Sequence, residues 1–219
     1  MGLEIVPEDV QNAYVVGEWK HALAVLSVDF PNEWADILAA LRGFRLKRSH
    51  VVAGGGNVSK VSQSINQSFY KRGWTEKKFE TKIVVDETEL ASPTHKVDCF
   101  KNGVALETEW SNKDPFFDRD LNNFRLLFEL RAASVGVIIT KNDDLETIFR
   151  AEKIWEKYGR STTWLSKLLP RMQGGGGGGC PIVVFAIRPV LWNVDIDDAE
   201  AARLKAPKSP KAKKRPKID

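Results

Sequence analysis

Apolar positions along the chain switch between two periods, and the switching predicts helices interleaved with strands. The run WKHALAVLSVD over Trp19–Asp29 is nearly continuous in apolar residues and reads as a strand. Pro31-Asn32-Glu33 then opens a helix through Leu41, with Trp34, Ile37, Leu38 and Leu41 spaced for one face. Ser59–Arg72 reads as a second helix, stopped by Gly73. Phe79–Asp86, His95–Lys101 and Val104–Trp110 read as three strands, the last two joined by Asn102-Gly103, the strongest short hairpin signal. Downstream, Asp118–Arg131 is predicted as a long helix, Val135–Thr140 as a short buried strand and Leu145–Tyr158 as another helix. Thr162–Leu169 is predicted helical and Pro181–Ile187 a β-rich strand. Residues 53–57 read as a loop. The six glycines at 174–179 read either as a flexible connector or as a loop whose backbone can approach a phosphate closely. No Lys-Ser/Thr follows them, so they form no P-loop. Helices among strands of a mixed sheet make an α/β fold.

Composition narrows the class. With 42% hydrophobic and 28% charged residues, the chain is neither disordered, collagenous nor a disulfide framework. Its 219 residues, at about 150 per domain, predict a single domain over 1–199 with an appendage. No apolar run approaches the ~18–20 residues of a membrane span, and MGLEIVPEDV lacks the basic and apolar regions of a secretory signal. With only Cys99 and Cys180 there is no cysteine cluster for zinc, and a reducing, cytoplasmic setting is expected.

The net charge of +4 changes meaning once it is located. Residues 203–217 hold eight Lys and Arg and no acid. Setting these eight and Asp219 aside leaves residues 1–202 at −3. The body is mildly acidic. Residues 200–219 are predicted to be a disordered basic tail, either a solvated segment or a tether for polyanionic DNA or RNA.

The segment KVDCFKNGVALETEW, Lys96–Trp110, carries the candidate chemistry. Alternation along a strand puts Val104, Leu106, Thr108 and Trp110 on one face, and Ala105, Glu107 and Glu109 on the other. The Asn-Gly turn brings Asp98 back beside Glu107. Two charges ~5 Å apart at an effective dielectric of ~20 repel by roughly 3 kcal/mol, so three acids on one face need raised pKa values, a basic partner or a divalent cation. All-oxygen donors without His or Cys favour Mg²⁺ over zinc. A solvated strand edge is the alternative on pattern alone.

The flanking residues shift the balance between these. Asp98, Glu107 and Glu109, with apolar Val104-Ala105-Leu106 before the first Glu, resemble the catalytic pattern of type II restriction endonucleases of the BglII/BstYI group within the PD-(D/E)xK nuclease superfamily. The last Glu, where the BglII type has Gln, resembles the BamHI-type variant. SNKDPFFDRDLNNF, the strand SVGVIIT and the upstream helix SINQSFYKRGW follow the order of that family, so the resemblance covers residues ~60–142. It implies a restriction-endonuclease-like mixed β-sheet flanked by helices, acting as a homodimer on a palindromic site in double-stranded DNA, with a cognate DNA methyltransferase as companion.

The resemblance also assigns roles. Asp98 and Glu107 would hold Mg²⁺ with the backbone carbonyl of Thr108. Glu109 would orient or deprotonate the attacking water, or hold a second metal. Asn66, on the Ser59–Arg72 helix, would reach the catalytic water. Hydrolysis would leave a 5′-phosphate and a 3′-hydroxyl. Ser111, Asn112 and Lys113 would contact DNA after the catalytic strand, and Thr140, Lys141 and Asn142 after the next one. The competing functions are a structure-specific or repair nuclease on the same fold, since fold does not fix substrate, and a DNA-binding protein without catalysis.

Overall fold

The computed structural model describes residues 2–53 and 58–205. Its centre is a six-stranded mixed sheet of β1 (Tyr14–Trp19), β2 (Thr75–Lys77), β3 (Val97–Lys101), β4 (Val104–Thr108), β5 (Val135–Lys141) and β6 (Ile182–Ile187). The strand order is β1-β6-β5-β4-β3-β2. β4, β5 and β6 run parallel, and antiparallel pairs complete the sheet at both sides. Every residue of the three parallel strands is buried, because helices cover both faces.

On one face α1 (Ala22–Asp29), α2 (Pro31–Gly43) and α3 (Lys60–Tyr70) cover Leu106, Val137, Ile139 and Phe185. On the other, α4 (Pro115–Glu129) and α5 (Leu165–Gln173) cover Ala105, Ile138, Ile182 and Val184. Phe117, Leu121, Phe124 and Leu127 form the buried stripe of α4. Among the described residues no helix is long and apolar enough to cross a membrane.

Close approach of α4 to β5 requires Gly136. A Cβ there would lie 2.5 Å from Cδ2 of Phe124, a fully buried ring. Gly136→Ala is therefore expected to cost about 1–3 kcal/mol by overpacking, read as a lowered urea midpoint with an unchanged slope.

Four sequence expectations change. Trp19–Asp29 is not a strand: β1 ends at Trp19, Lys20 and His21 take positive φ, and the apolar run winds into α1. A helix buried over much of its surface is as continuously apolar as a buried strand, so periodicity could not separate them. Leu145–Tyr158 is not one helix. It breaks where Lys153 takes a φ of 56°, giving short helices at Glu146–Ala151 and Trp155–Tyr158. The glycines at 174–179 are not a loose connector but successive turns seated on α4. Gly178 has a φ of 58°, and a Cβ there would lie 2.6 Å from Cγ of Arg125.

The fourth change concerns the tail. Residues 200–205 belong to a helix, Asp198–Lys205, with Ala201 buried. Arg48 pairs with Asp198 at 2.7 Å and Lys205 with Glu152 at 3.1 Å, which gives this segment the contacts a solvated tail lacks. Residues 206–219, and residues 54–57 of the expected loop, lie outside the described residues.

Candidate active site

Asn102 and Gly103, with φ of 46° and 87°, make the tight turn that returns β3 along β4. The register pairs Lys101 with Val104 and Cys99 with Leu106, which sets Asp98 opposite Glu107. There the two strands exchange bonds through side chains. The Asp98 N–H donates to Glu107 Oε2 at 3.3 Å, and the Thr108 N–H donates to Asp98 Oδ2 at 3.1 Å. From α3, capped at its start by the Ser59 hydroxyl, Asn66 Oδ1 accepts the Thr108 hydroxyl at 2.8 Å. The hairpin thus brings Asp98, Glu107, Thr108 and Asn66 together.

The face carrying Glu107 and Glu109 is not solvated, because α4 lies over it. Both glutamates are 2% exposed, and α4 adds a third buried acid, Asp120. Burial pushes the Glu107 carboxyl well above its ordinary range, reinforced by the charges of Asp120 and Asp98. Burial, with Asp120 again adding to it, pushes Glu109 up to about 9. Asp120 is raised chiefly by burial, against the pull of Arg119. Asp98 is raised by burial too, and the Thr108 N–H and the Asn66 amide oppose the rise.

Arg119 is the counter-charge from α4. Its Nε and Nη2 donate to Asp120 Oδ1 at 2.9 and 2.7 Å, its Nη2 lies 3.4 Å from Glu109 Oε1, and it stacks 4.4 Å from the Phe116 ring centre. Sequence reading missed Asp120. The signal was present: Asp120 falls on the same helical face as Phe117, Leu121 and Phe124, where a charge is out of place.

Asn66, Asp98, Glu109, Ser111, Asn112 and Arg119 line a cleft of about 570 Å³ between α3 and the start of α4. Asn112 Nδ2 donates to Glu109 Oε1 and Oε2 at 3.1 and 3.0 Å. Ser111 and Lys113 are exposed, and Lys113 Nζ donates to Ser161 Oγ at 2.9 Å.

Of the second predicted DNA-contacting set, only Asn142 is partly exposed. Thr140 and Lys141 are fully buried at the end of β5, which corrects the expectation for both. Lys141 Nζ donates to the backbone carbonyls of Trp110 and Thr163 and lies 4.7 Å from the Trp164 ring centre. Burial pulls its pKa well below the ordinary lysine value, so it serves as an internal clasp.

The donors fit a hard divalent cation. Glu107 Oε1 and Asp120 Oδ2 are buried oxygens with no hydrogen-bond partner among the described residues. Uncompensated carboxylate oxygens in a dry site are what a cation would neutralise. Among the described residues no three His, Cys, Asp or Glu side chains form a ready-made metal cage. Mg²⁺ does not need one, since it keeps several waters and binds through one or two carboxylates plus substrate phosphate.

A hairpin of a helix-flanked mixed sheet that brings Asp98 and Glu109 to the wall of a polar cleft is the arrangement of the restriction-endonuclease-like fold. Residues 14–187 match the family model described as Restriction endonuclease BglII/BglIII, and the chain belongs to that family. It is a type II restriction deoxyribonuclease, a DNA-binding hydrolase that cuts DNA site-specifically, of a family that typically needs a divalent metal. No curated protein matches the chain significantly.

Proposed function

We propose that the protein hydrolyses double-stranded DNA at a short palindromic site with Mg²⁺, leaving 5′-phosphate and 3′-hydroxyl ends. The observation that carries this reading is the mutual exchange at the hairpin, in which Asp98 and Glu107 each bond the other's strand and lie beside the buried Glu109. Asp98, Glu107 and the Thr108 carbonyl would hold the cation, which when bound supplies Lewis-acid polarisation of a phosphate and acidifies water.

The remaining work falls to the chain itself. Asn66 holds Thr108 through its hydroxyl, fixing the strand that carries both glutamates. Glu109, at the wall of the cleft, orients the attacking water. α4 keeps bulk water from the far side of the carboxylates, which strengthens each electrostatic contact. Ser111, Asn112, Lys113 and Asn142 are the candidates for DNA contact. A palindromic site calls for two copies about a twofold axis, so the active species is a homodimer, and a methyltransferase of the same specificity is its functional companion.

The test is a digest of sequenced plasmid with Mg²⁺ or with EDTA. Discrete fragments whose mapped ends share one symmetric sequence, seen only with metal, are expected. A smear without preferred ends, or nicking confined to branched substrates, would replace this reading with the structure-specific one.

A further inference from the structure

Asn112 links two parts of the cleft. It stands three residues beyond Glu109, in the segment between the catalytic strand and α4. Its amide nitrogen is committed inward, to both oxygens of Glu109. Among the described residues its Oδ1 makes no hydrogen bond, and the residue lines the cleft while half-buried. The amide therefore has a donating side spent on the catalytic carboxylate and an accepting side left for something in the cleft.

The backbone around it cannot drift. The Asn112 carbonyl accepts the Thr163 N–H at 3.0 Å, the Asp114 N–H donates to the Ser161 carbonyl at 3.1 Å, and Lys113 bridges antiparallel to Thr162. Movement of the Asn112 amide is thus confined to its own χ angles, and whatever seats Oδ1 also sets the grip on Glu109. On the opposite side, Arg119 is held by Asp120 and reaches Glu109 only at 3.4 Å, so Asn112 supplies the shorter contacts.

We infer that Asn112 is a positioning residue that ties base recognition to the orientation of Glu109: its Oδ1 accepts from the exocyclic amine of an adenine or cytosine, while its Nδ2 holds the carboxylate. The inference rests on the proposed DNA cleavage. Adenine N6 and cytosine N4 are the major-groove donors, so a base offering only acceptors at that position leaves Oδ1 unpaired and the carboxylate misaligned. Sequence is then checked twice, once in binding and again in the chemical step.

The experiment compares wild type, N112A and N112D on one cognate duplex and on duplexes with single base changes. Affinity is measured in EDTA and single-turnover cleavage with Mg²⁺ at saturating enzyme, and thermal melting controls for folding. N112A is expected to lose about 10- to 100-fold in cleavage rate, on the scale of a lost orienting contact, while affinity falls by a smaller factor. N112D, nearly the same shape but unable to donate to Glu109, is expected to cut more slowly than N112A. Wild type should discriminate against one base change more strongly in cleavage than in binding, and in N112A the two ratios should become equal. Saturated N112A cutting at the wild-type rate, or losing affinity and cleavage by the same factor, would overturn the inference while leaving the nuclease assignment in place. A wild-type protein that cuts no duplex under any metal would overturn the assignment itself.

Discussion

Replacing Glu107 by Gln is expected to abolish cleavage while making the metal-free protein more stable. Glu107 is 2% exposed, and its Oε1 has no partner among the described residues. Loss of a charged ligand from the proposed metal set should slow the chemical step by on the order of 10³-fold or more, equivalent to ~4 kcal/mol of transition-state stabilisation. The same substitution relieves the cost of keeping Glu107 protonated at neutral pH, which burial and two neighbouring acids impose. Each kcal/mol so relieved raises the melting temperature by roughly 2–4 °C for a chain of this size. Asp98→Asn should lose cleavage equally but gain less stability, because the Thr108 N–H and the Asn66 amide offset part of the burial that raises Asp98. Single-turnover kinetics and calorimetry in EDTA check both arms. A Glu107→Gln protein that cuts normally would remove Glu107 from the site, and one that melts lower would contradict the account of its burial.

The second large effect is a fall in stability of the metal-free protein as pH rises from about 5 to about 9. Glu109 ordinarily titrates at 4.5 and is pushed up to about 9 in the folded protein. Between those values the folded state keeps a proton that the unfolded chain has released, so stability falls as pH climbs. The contribution is complete below 4.5 and lost by about 9. Each such proton contributes a slope of up to about 1.4 kcal/mol per pH unit. Glu107 and Asp120, raised in the same direction, steepen the fall. Asp9 and Asp114 act oppositely, since their ion pairs lower their pKa values. Their stabilisation is lost below the ordinary value of 3.8, on the acid side of this window. Added Mg²⁺ should flatten the curve, because ionised carboxylates then have a cation to face. Melting temperatures in EDTA that hold steady or rise from pH 5 to 9 would contradict the burial of these acids.

What could be read from the chain was local in kind. The Asn102-Gly103 turn and the period-two pattern of Val104–Thr108 sufficed to place Asp98 opposite Glu107, because a tight turn determines register without distant contacts. The helix from Lys60 was equally legible, since the stretch from Ser59 to Arg72 carries no breaker before Gly73. What required distant contacts was not legible. α4 closes over the glutamates through core packing, so the sequence pattern distinguished a face without showing that it was dry. The burial of Lys141 depends on carbonyls from Trp110 and from the segment before α5, 31 and 22 residues away. Asn112 read as a residue for DNA alone, since nothing in a one-dimensional pattern aims its amide back at Glu109.

Asp98 and Glu107 are the proposed metal ligands for cleavage at one symmetric sequence. A Mg²⁺ titration of plasmid cleavage with wild type, Asp98→Asn and Glu107→Gln tests this, alongside the affinity of each protein for the mapped site in EDTA. Discrete wild-type fragments are expected to appear with Mg²⁺, and no fragments from either variant at any Mg²⁺ concentration. Both variants are expected to bind the site about as tightly as wild type, since Asn and Gln keep the shape of the hairpin and add no negative charge near the phosphates. Either variant cutting the same site at the wild-type rate and the same Mg²⁺ requirement would remove that residue from the metal set.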